Sequence, residues 1–485
     1  MKLSKDFLSQ ALPDAALIWE NRLIPMTDVA VWQKLEKMGD INVSIDSRTI
    51  QAGELFIPLK GPNFDGHNFI QSALEDGACG ALITQDNQAR VLALPRNLLD
   101  QKFFIVVPDT FKAFVDLAKA WRACLQCPFV GITGSVGKTT TKEMLRSIVQ
   151  KAGLKTYASF KNYNNVFGVC YNILRIPETV DIAILEMGIN ECGEMRQLAD
   201  IVRPTIGLIT CVAHAHLEGL GNSLQGVAQE KRNIFAFFTA SDVGIVNGDQ
   251  ALLGDIHYAH PIARFGLKTK NQVQARKIFV AYNDDGSFTT HFMLKWYSEK
   301  TQIQLRGNHP GFVSNALAAS AAAYFIKVPF NAVIDGLQAY QGMENRFEIK
   351  KLKNNKGILL NDCYNANPES MKAALLALSQ FKSNGPKIAV LGDMLELGQR
   401  ERYWHRQVGR VISKSALNLQ ALILVGERAR SIGKTSPLHL PLEFASDWKE
   451  AQQKLESQLT HPESVVLVKA SHGIHLDNLV KGVTE

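Results

Sequence analysis

The 485-residue sequence has no apolar run long enough to cross a membrane. Its most apolar segment, ALAASAAAYFI at 316–326, is shorter than the about 20 residues that a spanning helix needs, so we expect a buried helix there. The first residues, MKLSKDFLSQALPDAALIWE, include acidic side chains and no sustained apolar run. They do not follow the pattern of a signal peptide, and we expect a cytoplasmic protein.

Cysteine is scarce, with seven residues scattered along the chain. An odd number without an export signal predicts reduced thiols rather than a disulfide framework. Cys124 and Cys127 form a CxxC pair, but no second pair or suitably spaced histidines lie nearby. We interpret the pair as the end of a helix that contains Phe114, Leu117 and Trp121, in preference to a metal or redox site.

A strong excess of one charge is also missing. The formal net charge is +7, with 20% charged and 46% hydrophobic residues, which is typical of a soluble globular protein. No long basic stripe indicates nucleic-acid binding, and the modest positive excess suits anionic small molecules. The densest basic cluster, EIKKLKNNKG at 348–357, predicts two solvated strands around a turn.

A chain of this length exceeds one ordinary core, so we expect several domains. The segment from Ile45 to about Val107 has short strands, turns with Gly and Pro, and one helix, which predicts a small α/β domain. In 108–343, apolar strands such as DIAILEMGI at 181–189 alternate with helical patterns, which predicts a mostly parallel sheet covered on both faces. The stretch 287–306 alternates like an antiparallel hairpin, and 344–485 predicts another open α/β sheet.

The stretch GITGSVGKTTTKEML at 131–145 has the composition of a phosphate-binding loop. Gly134 and Gly137 let backbone N–H groups approach phosphate oxygens. Lys138 supplies a positive charge, and Thr139 supplies a hydroxyl suited to Mg²⁺. Apolar residues at helical spacing follow, so the phosphate would lie at a helix N-terminus. The first glycine of the general pattern is displaced by one position, and the loop predicts nucleotide binding without naming a reaction.

Other side chains could hold a metal. Glu186 ends an apolar strand after the loop's helix, where a carboxylate holds Mg²⁺ in nucleotide-hydrolysing folds; a solvent-facing glutamate is the alternative. His214 and His216 would point the same way on a strand, but two histidines without a clear third ligand are usually not a metal site. Lys231 would ordinarily be a solvated helix residue.

Polar residues gather in NDCYNANPESMKAAL at 361–375. Asp362 would end a strand, and Asn365, Asn367 and Ser370 follow in the turn and the helix start. Asn367 followed by proline fits a helix N-cap, which accounts for one or two of these residues. The cluster also lies where open α/β sheets bind ligands, at the carboxyl ends of strands.

These motifs resemble the Mur ligases of bacterial peptidoglycan synthesis along nearly the whole chain. GITGSVGKTT is similar to the family's ATP loop, including its displaced glycine. DSR at 46–48 and DGH at 65–67 resemble the amino-terminal UDP-sugar domain. AHLEGLG at 215–221, YNANPES at 364–370 and GDMLELG at 392–398 resemble the members that add D-alanyl-D-alanine.

The resemblance implies a three-domain α/β fold: a UDP-sugar-binding domain (1–107), a central P-loop ATP-binding domain (108–343) and a C-terminal Rossmann-like domain (344–485). It implies an ATP-dependent ligase in which the carboxylate of UDP-N-acetylmuramoyl-tripeptide becomes an acyl phosphate. The amine of D-alanyl-D-alanine then displaces phosphate, giving UDP-N-acetylmuramoyl-pentapeptide. The resemblance further implies ATP as a substrate, two Mg²⁺ ions and a carbamylated lysine. It also implies a monomer without nucleic-acid or membrane partners.

The resemblance also implies a role for each matching residue. ATP would be bound by the loop residues Gly134, Ser135, Val136, Gly137, Lys138, Thr139 and Thr140, by Asn315 at the adenine, by Arg346 at the phosphates and by Asp362 at the ribose. The metal and catalytic positions would be Lys138 at the phosphates, Thr139 and Glu186 on one Mg²⁺, His216 on a second, and Lys231 as a carbamate. The UDP-linked substrate would contact Ser47, Arg48, Asp65, Asn164 and Asn165, and the dipeptide would contact Asn365, Asn367 and Ser370.

Several positions depart from the family pattern. Asn233 stands where glutamate is usual, and Asn222 is an extra residue. The segment 308–315 is about two residues longer than usual, which weakens the role of Asn315, and 469–472 reads KASH in place of KGSR. Because the loop and the metal-binding positions remain, we expect an active enzyme.

Two alternatives stay open. The first is another ligase of the same design, either the tripeptide-forming Mur ligase or a folylpolyglutamate synthase; YNANPES argues against the former and DSR with DGH against the latter. The second is a non-catalytic protein that binds ATP as a switch, against which the retained metal-binding positions argue.

Overall fold

The computed structural model describes residues 1–19, 22–25, 28–61, 64–214, 218–282, 288–307, 309, 311–414 and 417–485. Along the first part of the chain, short helices alternate with strands. These elements are α1 (Lys5–Ala11), β1 (Ala16–Trp19), β2 (Arg22–Ile24), α2 (Val29–Lys37), β3 (Val43–Ser44), β4 (Leu55–Phe56), α3 (Ile70–Glu75), β5 (Gly80–Thr84), α4 (Gln85–Leu92), α5 (Arg96–Leu99), β6 (Phe103–Val107) and α6 (Thr110–Cys124).

The middle of the chain contains the predicted phosphate loop, between its first strand and first helix. The elements are β7 (Phe129–Thr133), α7 (Lys138–Lys151), β8 (Thr156–Ala158), α8 (Val166–Leu174), β9 (Ile182–Glu186), α9 (Glu194–Val202), β10 (Ile206–Ile209), α10 (Leu224–Arg232), β11 (Val243–Asn247), α11 (Ala251–Gly254), β12 (Ile262–Gly266), β13 (Val273–Tyr282), β14 (Phe288–Trp296), β15 (Glu299–Arg306), α12 (Gly311–Phe325) and α13 (Phe330–Ala339).

The last part returns to a regular alternation of strands and helices. The elements are β16 (Glu348–Lys351), β17 (Gly357–Asn361), α14 (Pro368–Gln380), β18 (Lys387–Gly392), α15 (Glu401–Lys414), β19 (Leu419–Val425), α16 (Arg430–Gly433), β20 (Leu442–Ala445), α17 (Trp448–Gln458), β21 (Ser464–Lys469) and α18 (Leu476–Val483).

The chain divides into two compact units that interleave in sequence. The first unit contains Met1–Gly131, Leu154–Met187 and Arg196–Thr205, and the second contains Ile132–Gly153, Gly188–Met195 and Ile206–Glu485. The predicted domain boundaries near residues 107 and 343 remain predictions.

In the first unit, β1 to β6 form a sheet in the order β2-β1-β6-β5-β4-β3. β3 to β6 are parallel, whereas β1 runs antiparallel to both of its neighbours. Apolar side chains of this sheet, such as Phe56, Ile83 and Phe104, pack with Leu74 in one buried cluster. The strand β9 pairs in parallel with β8, and its five residues are all buried.

In the second unit, β10 to β13 pair in parallel, and β13 to β15 continue as an antiparallel meander. The expected hairpin is therefore confirmed as β14 and β15. The expected buried helix is confirmed as α12, whose alanines are fully buried. None of the helices in the described part of the chain is long and apolar enough to cross a membrane.

The final sheet of the second unit has the strand order β16-β17-β21-β18-β19-β20 and is parallel except for β16. Alternate residues of β17 and β18 enter two different apolar clusters: Leu360 and Leu391 belong to one, and Leu359 and Val390 to the other. This period-2 pattern covers both faces of the sheet. The expectation of a mostly parallel α/β protein is confirmed.

Candidate active site

The phosphate loop connects β7 to α7 through two glycines with positive φ. Gly134 has φ 150°, and a Cβ there would lie 1.8 Å from Thr210 Oγ1. Gly137 has φ 86° and is the N-cap of α7, where a Cβ would lie 2.3 Å from Asn315 Oδ1. Both positions therefore require glycine. The 14-residue α7 has no side-chain cap, which leaves its N-terminal dipole directed at the loop.

The residues after β10 hold the loop in place. The amide of Ser135 donates to the carbonyl of Cys211 at 2.9 Å, and Ser135 Oγ donates to the carbonyl of Ala213 at 3.1 Å. The carbonyl of Val136 accepts a bond from Thr210 Oγ1 at 2.6 Å. These bonds fix the loop backbone before any ligand binds, so little ordering entropy is lost on binding.

Polar groups gather at the start of α7. Lys138 Nζ donates to the carbonyl of Gly134 at 2.9 Å, across the loop. Thr139 is 4% exposed, and its Oγ1 accepts a bond from Arg346 Nη2 at 2.8 Å. Thr140 is also buried in the first helical turn. The structure thus brings Arg346, 207 residues away, to the loop, and its contact with the phosphates of ATP remains a prediction.

Lys231 lies near the end of α10 and is only 2% exposed. The interpretation of Lys231 as an ordinary solvated lysine is therefore wrong. Burial, together with the charge of Lys138, lowers the pKa of the Lys231 amine to about 7. Near neutral pH a large fraction of this amine is uncharged, and only an uncharged amine can react with CO₂ to form a carbamate.

The neighbouring carboxylate of Glu230 caps a different helix. Its Oε1 accepts bonds from the amides of Gly193 and Met195, at 3.0 and 2.9 Å, at the start of α9. Its Oε2 accepts a bond from Asn233 Nδ2 at 3.0 Å. The departure at Asn233 thus has a physical reason, because a glutamate at that position would place a second carboxylate beside Glu230.

Two further departures have defined surroundings. Asn222 has φ 52°, and its Oδ1 would lie 3.1 Å from a Cβ on Gly398, so the extra residue packs against the GDMLELG loop. In the longer segment, His309 is half-buried, and desolvation lowers the pKa of its imidazole to about 4. His309 Nδ1 accepts a bond from the amide of Gly311 at 3.0 Å, at the start of α12.

Asn315 lies on α12, and its Oδ1 accepts a bond from Thr141 Oγ1 at 3.4 Å. Asp362 follows β17 and uses both carboxylate oxygens: Oδ1 accepts from the amide of Phe347 at 3.1 Å and Oδ2 from Lys469 Nζ at 2.6 Å. Lys469 is the first residue of the KASH segment and is 1% exposed. The contacts of Asn315 with adenine and of Asp362 with ribose remain predictions.

The polar cluster after β17 is in part a helix cap. Asn367 Oδ1 accepts a bond from the amide of Ser370 at 2.9 Å, and Ser370 Oγ accepts one from the amide of Asn367 at 3.0 Å. This capping box starts α14, with Pro368 as its first residue. Asn365 is exposed in the preceding turn. The cap interpretation is confirmed for two residues, and the dipeptide contacts stay predictions.

In the first unit, the structure brings Glu186 and Asn164 together. Glu186 ends β9 at 2% exposure, and its Oε1 accepts a bond from Asn164 Nδ2 at 2.9 Å. The interpretation of Glu186 as a solvent-facing glutamate is therefore wrong. Asn165 is the N-cap of α8, because its Oδ1 accepts a bond from the amide of Gly168 at 3.0 Å.

The predicted UDP-binding residues lie in two short turns of the first unit. Arg48 Nε donates to Asp46 Oδ1 at 2.9 Å and Nη2 donates to Oδ2 at 2.7 Å, in the turn that begins at Ser47. Asp65 caps the second turn by accepting a bond from the amide of His67 at 3.0 Å. Their contacts with a nucleotide sugar remain predictions.

The predicted metal positions are described in part. His216 lies outside the described residues, so its role stays a prediction. Among the residues that the structure describes, no group of three or more His, Cys, Asp or Glu is arranged to hold a metal ion. Cys124 ends α6, as expected, whereas Cys127 follows the helix.

Sequence reasoning missed the supporting contacts made by Thr210, Glu230 and Tyr364. The guanidinium carbon of Arg346 lies 3.9 Å from the centre of the Tyr364 ring. Tyr364 is the first residue of the YNANPES motif, which is the sequence feature that could have indicated its role. Thr210 and Glu230 act on partners 35 or more residues away, and a local pattern does not indicate such pairs.

Models of one protein family match three parts of the chain. The Mur ligase middle domain matches residues 132–323. The Mur ligase, glutamate ligase domain matches residues 345–472. The Mur ligase family, catalytic domain matches residues 42–121.

Two relatives and one solved structure are similar along most of the chain. The UDP-N-acetylmuramoyl-tripeptide–D-alanyl-D-alanine ligase of Bacillus subtilis (strain 168) is 34% identical over 447 residues, which cover 91% of this chain and 93% of the relative. The protein of the same name from Escherichia coli (strain K12) is 31% identical over 454 residues, with coverage of 91% and 93%. A crystal structure of MurF from Acinetobacter baumannii has a TM-score of 0.81 at 27% identity and covers 99% of this chain and 98% of its own.

Proposed function

The chain belongs to the Mur ligase family, and we propose that it joins D-alanyl-D-alanine to UDP-N-acetylmuramoyl-tripeptide while ATP is converted to ADP and phosphate. The observation that carries the proposal is the loop from Gly134 to Thr140, at which Lys138 and Arg346 both make hydrogen bonds. The buried Lys231 is close enough for its amine to interact with the charge of Lys138. The two relatives described above are named for that activity, and this chain aligns with more than nine-tenths of the length of each.

Mg²⁺ fits the chemistry of the predicted donors. Thr139 offers a hydroxyl and Glu186 a carboxylate, and a carbamate on Lys231 would add anionic oxygens, which are the ligands that Mg²⁺ prefers. The lowered pKa of Lys231 supports the carbamate, since the modification would replace a cation that repels Lys138 with an anion that attracts it. When bound, Mg²⁺ would neutralise phosphate charge.

The chain's own groups would act mainly by positioning. The backbone amides of the loop and the N-terminus of α7 would hold the phosphates, and Lys138 and Arg346 would place positive charge at the group being transferred. The tripeptide carboxylate attacks the γ-phosphorus, ADP leaves, and an acyl phosphate forms. The dipeptide amine then attacks the carbonyl carbon, a C–N bond forms, the C–O bond to phosphate breaks, and the amine releases a proton.

The substrates also indicate where the protein works and with which partners. ATP and nucleotide sugars are cytoplasmic metabolites, so we place the reaction in the cytoplasm. The protein would act on three small-molecule substrates, as a monomer, without nucleic acid. The dipeptide would meet the acyl phosphate near Asn365, Asn367 and Ser370.

The experiment follows an oxygen label. UDP-N-acetylmuramoyl-tripeptide carrying ¹⁸O in its terminal carboxylate is incubated with ATP, Mg²⁺ and D-alanyl-D-alanine. Because the acyl phosphate breaks at the C–O bond, one ¹⁸O should appear in inorganic phosphate, together with the pentapeptide product by mass. Pentapeptide without labelled phosphate would reject the acyl phosphate, and absence of pentapeptide would reject the proposed function.

A further inference from the structure

Arg346 is held by contacts on two sides. Its Nη2 donates to Thr139 Oγ1 at 2.8 Å, and its guanidinium carbon lies 3.9 Å from the centre of the Tyr364 ring. A cation within about 6 Å of an aromatic face is attracted by the ring's quadrupole. Because the guanidinium is planar, stacking on a ring also fixes the plane in which its N–H groups point.

The backbone around Arg346 is held in an unfavourable conformation. Asn345 and Phe347, on either side, have φ of 57° and 55°, in the left-handed region that L-residues rarely adopt. Tyr364 and Asp362 stabilise both. The amide of Tyr364 donates to the carbonyl of Asn345 at 3.1 Å, and Asp362 accepts a bond from the amide of Phe347 at 3.1 Å.

A side-chain network ties the same two segments together. Asn361 Nδ2 donates to Asn345 Oδ1 at 2.7 Å and to Glu348 Oε2 at 3.1 Å. The segment 361–364 therefore holds the segment 345–348, while its last residue contacts the Arg346 side chain. Strain that persists in this way is typical of functional sites, where surrounding contacts fix a geometry.

We propose that Tyr364 is a positioning residue that fixes the plane of the Arg346 guanidinium toward the phosphate loop. This inference rests on the proposed function, in which Arg346 contacts the phosphates of ATP. Tyr364 acts through Arg346: its ring face restricts the guanidinium, so that the N–H groups beside Thr139 meet the γ-phosphate without further ordering.

The test uses binding of AMP-PNP, a non-hydrolysable ATP analogue, with Mg²⁺ by calorimetry. Tyr364→Leu should weaken binding by about 3- to 30-fold, the range of a partly desolvated cation–π contact. Tyr364→Phe keeps the ring and should bind within about twofold of the unsubstituted protein. Phe444→Leu is the matched control, because Arg430 lies over Phe444 at 5.4 Å in another part of the same unit. It should leave binding unchanged.

A double-mutant cycle separates positioning from a structural role. In an Arg346→Gln background, Tyr364→Leu should cause no further loss, because the group through which it acts is gone. Equal losses in both backgrounds would overturn the proposal, as would failure of Tyr364→Phe to retain binding or normal binding by Tyr364→Leu. Since this assay needs no ligation, absence of pentapeptide from the unsubstituted protein would reject the proposed function alone, and the binding cycle would still decide the role of Tyr364.

Discussion

Lys231 shows how burial changes the chemistry of a single residue. A carbamate on this amine would provide metal-binding oxygens that no alanine can replace. We expect Lys231→Ala to lower the ligation rate by about 100-fold or more, with partial recovery when bicarbonate or acetate is added. Arg232→Ala, the next residue of α10, is the matched control and should stay near full activity. Full activity of the Lys231→Ala variant would remove the carbamate from the mechanism.

The same residue predicts a pH dependence. Because burial lowers the Lys231 pKa to about 7, its uncharged fraction increases as the pH rises through that value and falls below it. At a fixed concentration of dissolved ¹³CO₂, the ¹³C NMR signal of a protein carbamate should therefore grow as the pH increases from 6 to about 8. A signal that does not change over this range, or that persists in Lys231→Ala, would contradict the assignment.

We expect asparagine at position 233 to be more stabilising in this chain than the glutamate of the family pattern, because Asn233 donates a hydrogen bond to Glu230. Asn233→Glu should repel Glu230 and weaken its bonds to the amides of Gly193 and Met195. We expect a local loss of about 1 kcal/mol, seen as faster hydrogen exchange in a peptide covering 190–202. Asn233→Gln keeps the amide donor and serves as the control. Unchanged exchange in Asn233→Glu would show that the two carboxylates do not interact.

The residues of the loop could be predicted because they are contiguous: glycines, lysine and threonines in fixed order specify both the turn and its ligand. The surroundings of Lys231 and Glu186 could not, since burial depends on elements far away in the sequence. A pattern of residue types gave Lys231 the appearance of a solvated helix residue, and only packing shows that its amine is buried.

At the N-terminus of α14, a structural role of Asn367 as the helix cap can be distinguished from a role in binding the dipeptide. Asn367→Ala removes the acceptor of the N-cap and should lower the free energy of unfolding by about 1 kcal/mol, whereas Asn367→Asp keeps an acceptor and should be near neutral. If the Asn367 amide also contacts the dipeptide, KM for D-alanyl-D-alanine rises in both variants. A normal KM in both, with stability lost only in the alanine variant, would reduce Asn367 to a cap.

Strands and helices with a strong pattern were predicted correctly, among them β9, β14, β15 and α12, because continuous burial or strict alternation dominates their sequences. The short strands β1 and β8 were missed. Each has only three or four residues, too few to show a period, and their pairing with β6 and β9 depends on partners distant in sequence. The register of such strands is set by the sheet rather than by local preference.

At the scale of the whole molecule, the family resemblance inferred from short motifs is confirmed by the family models and by relatives that align over about nine-tenths of the chain. Contacts divide the chain into two compact units, of which the second contains both the C-terminal sheet and the P-loop helix, and the three domain boundaries inferred from the sequence remain predictions. Motifs identify domain types, whereas the compactness of a unit depends on packing between them.

In the proposed reaction, ATP bound at the loop 134–140 powers the formation of an amide bond. The most direct measurement is release of ADP and phosphate with ATP, Mg²⁺, UDP-N-acetylmuramoyl-tripeptide and D-alanyl-D-alanine, omitting each component in turn. We predict that release requires all four and yields UDP-N-acetylmuramoyl-pentapeptide by mass. ATP binding or hydrolysis that is independent of both peptide substrates, with no pentapeptide formed, would contradict the account.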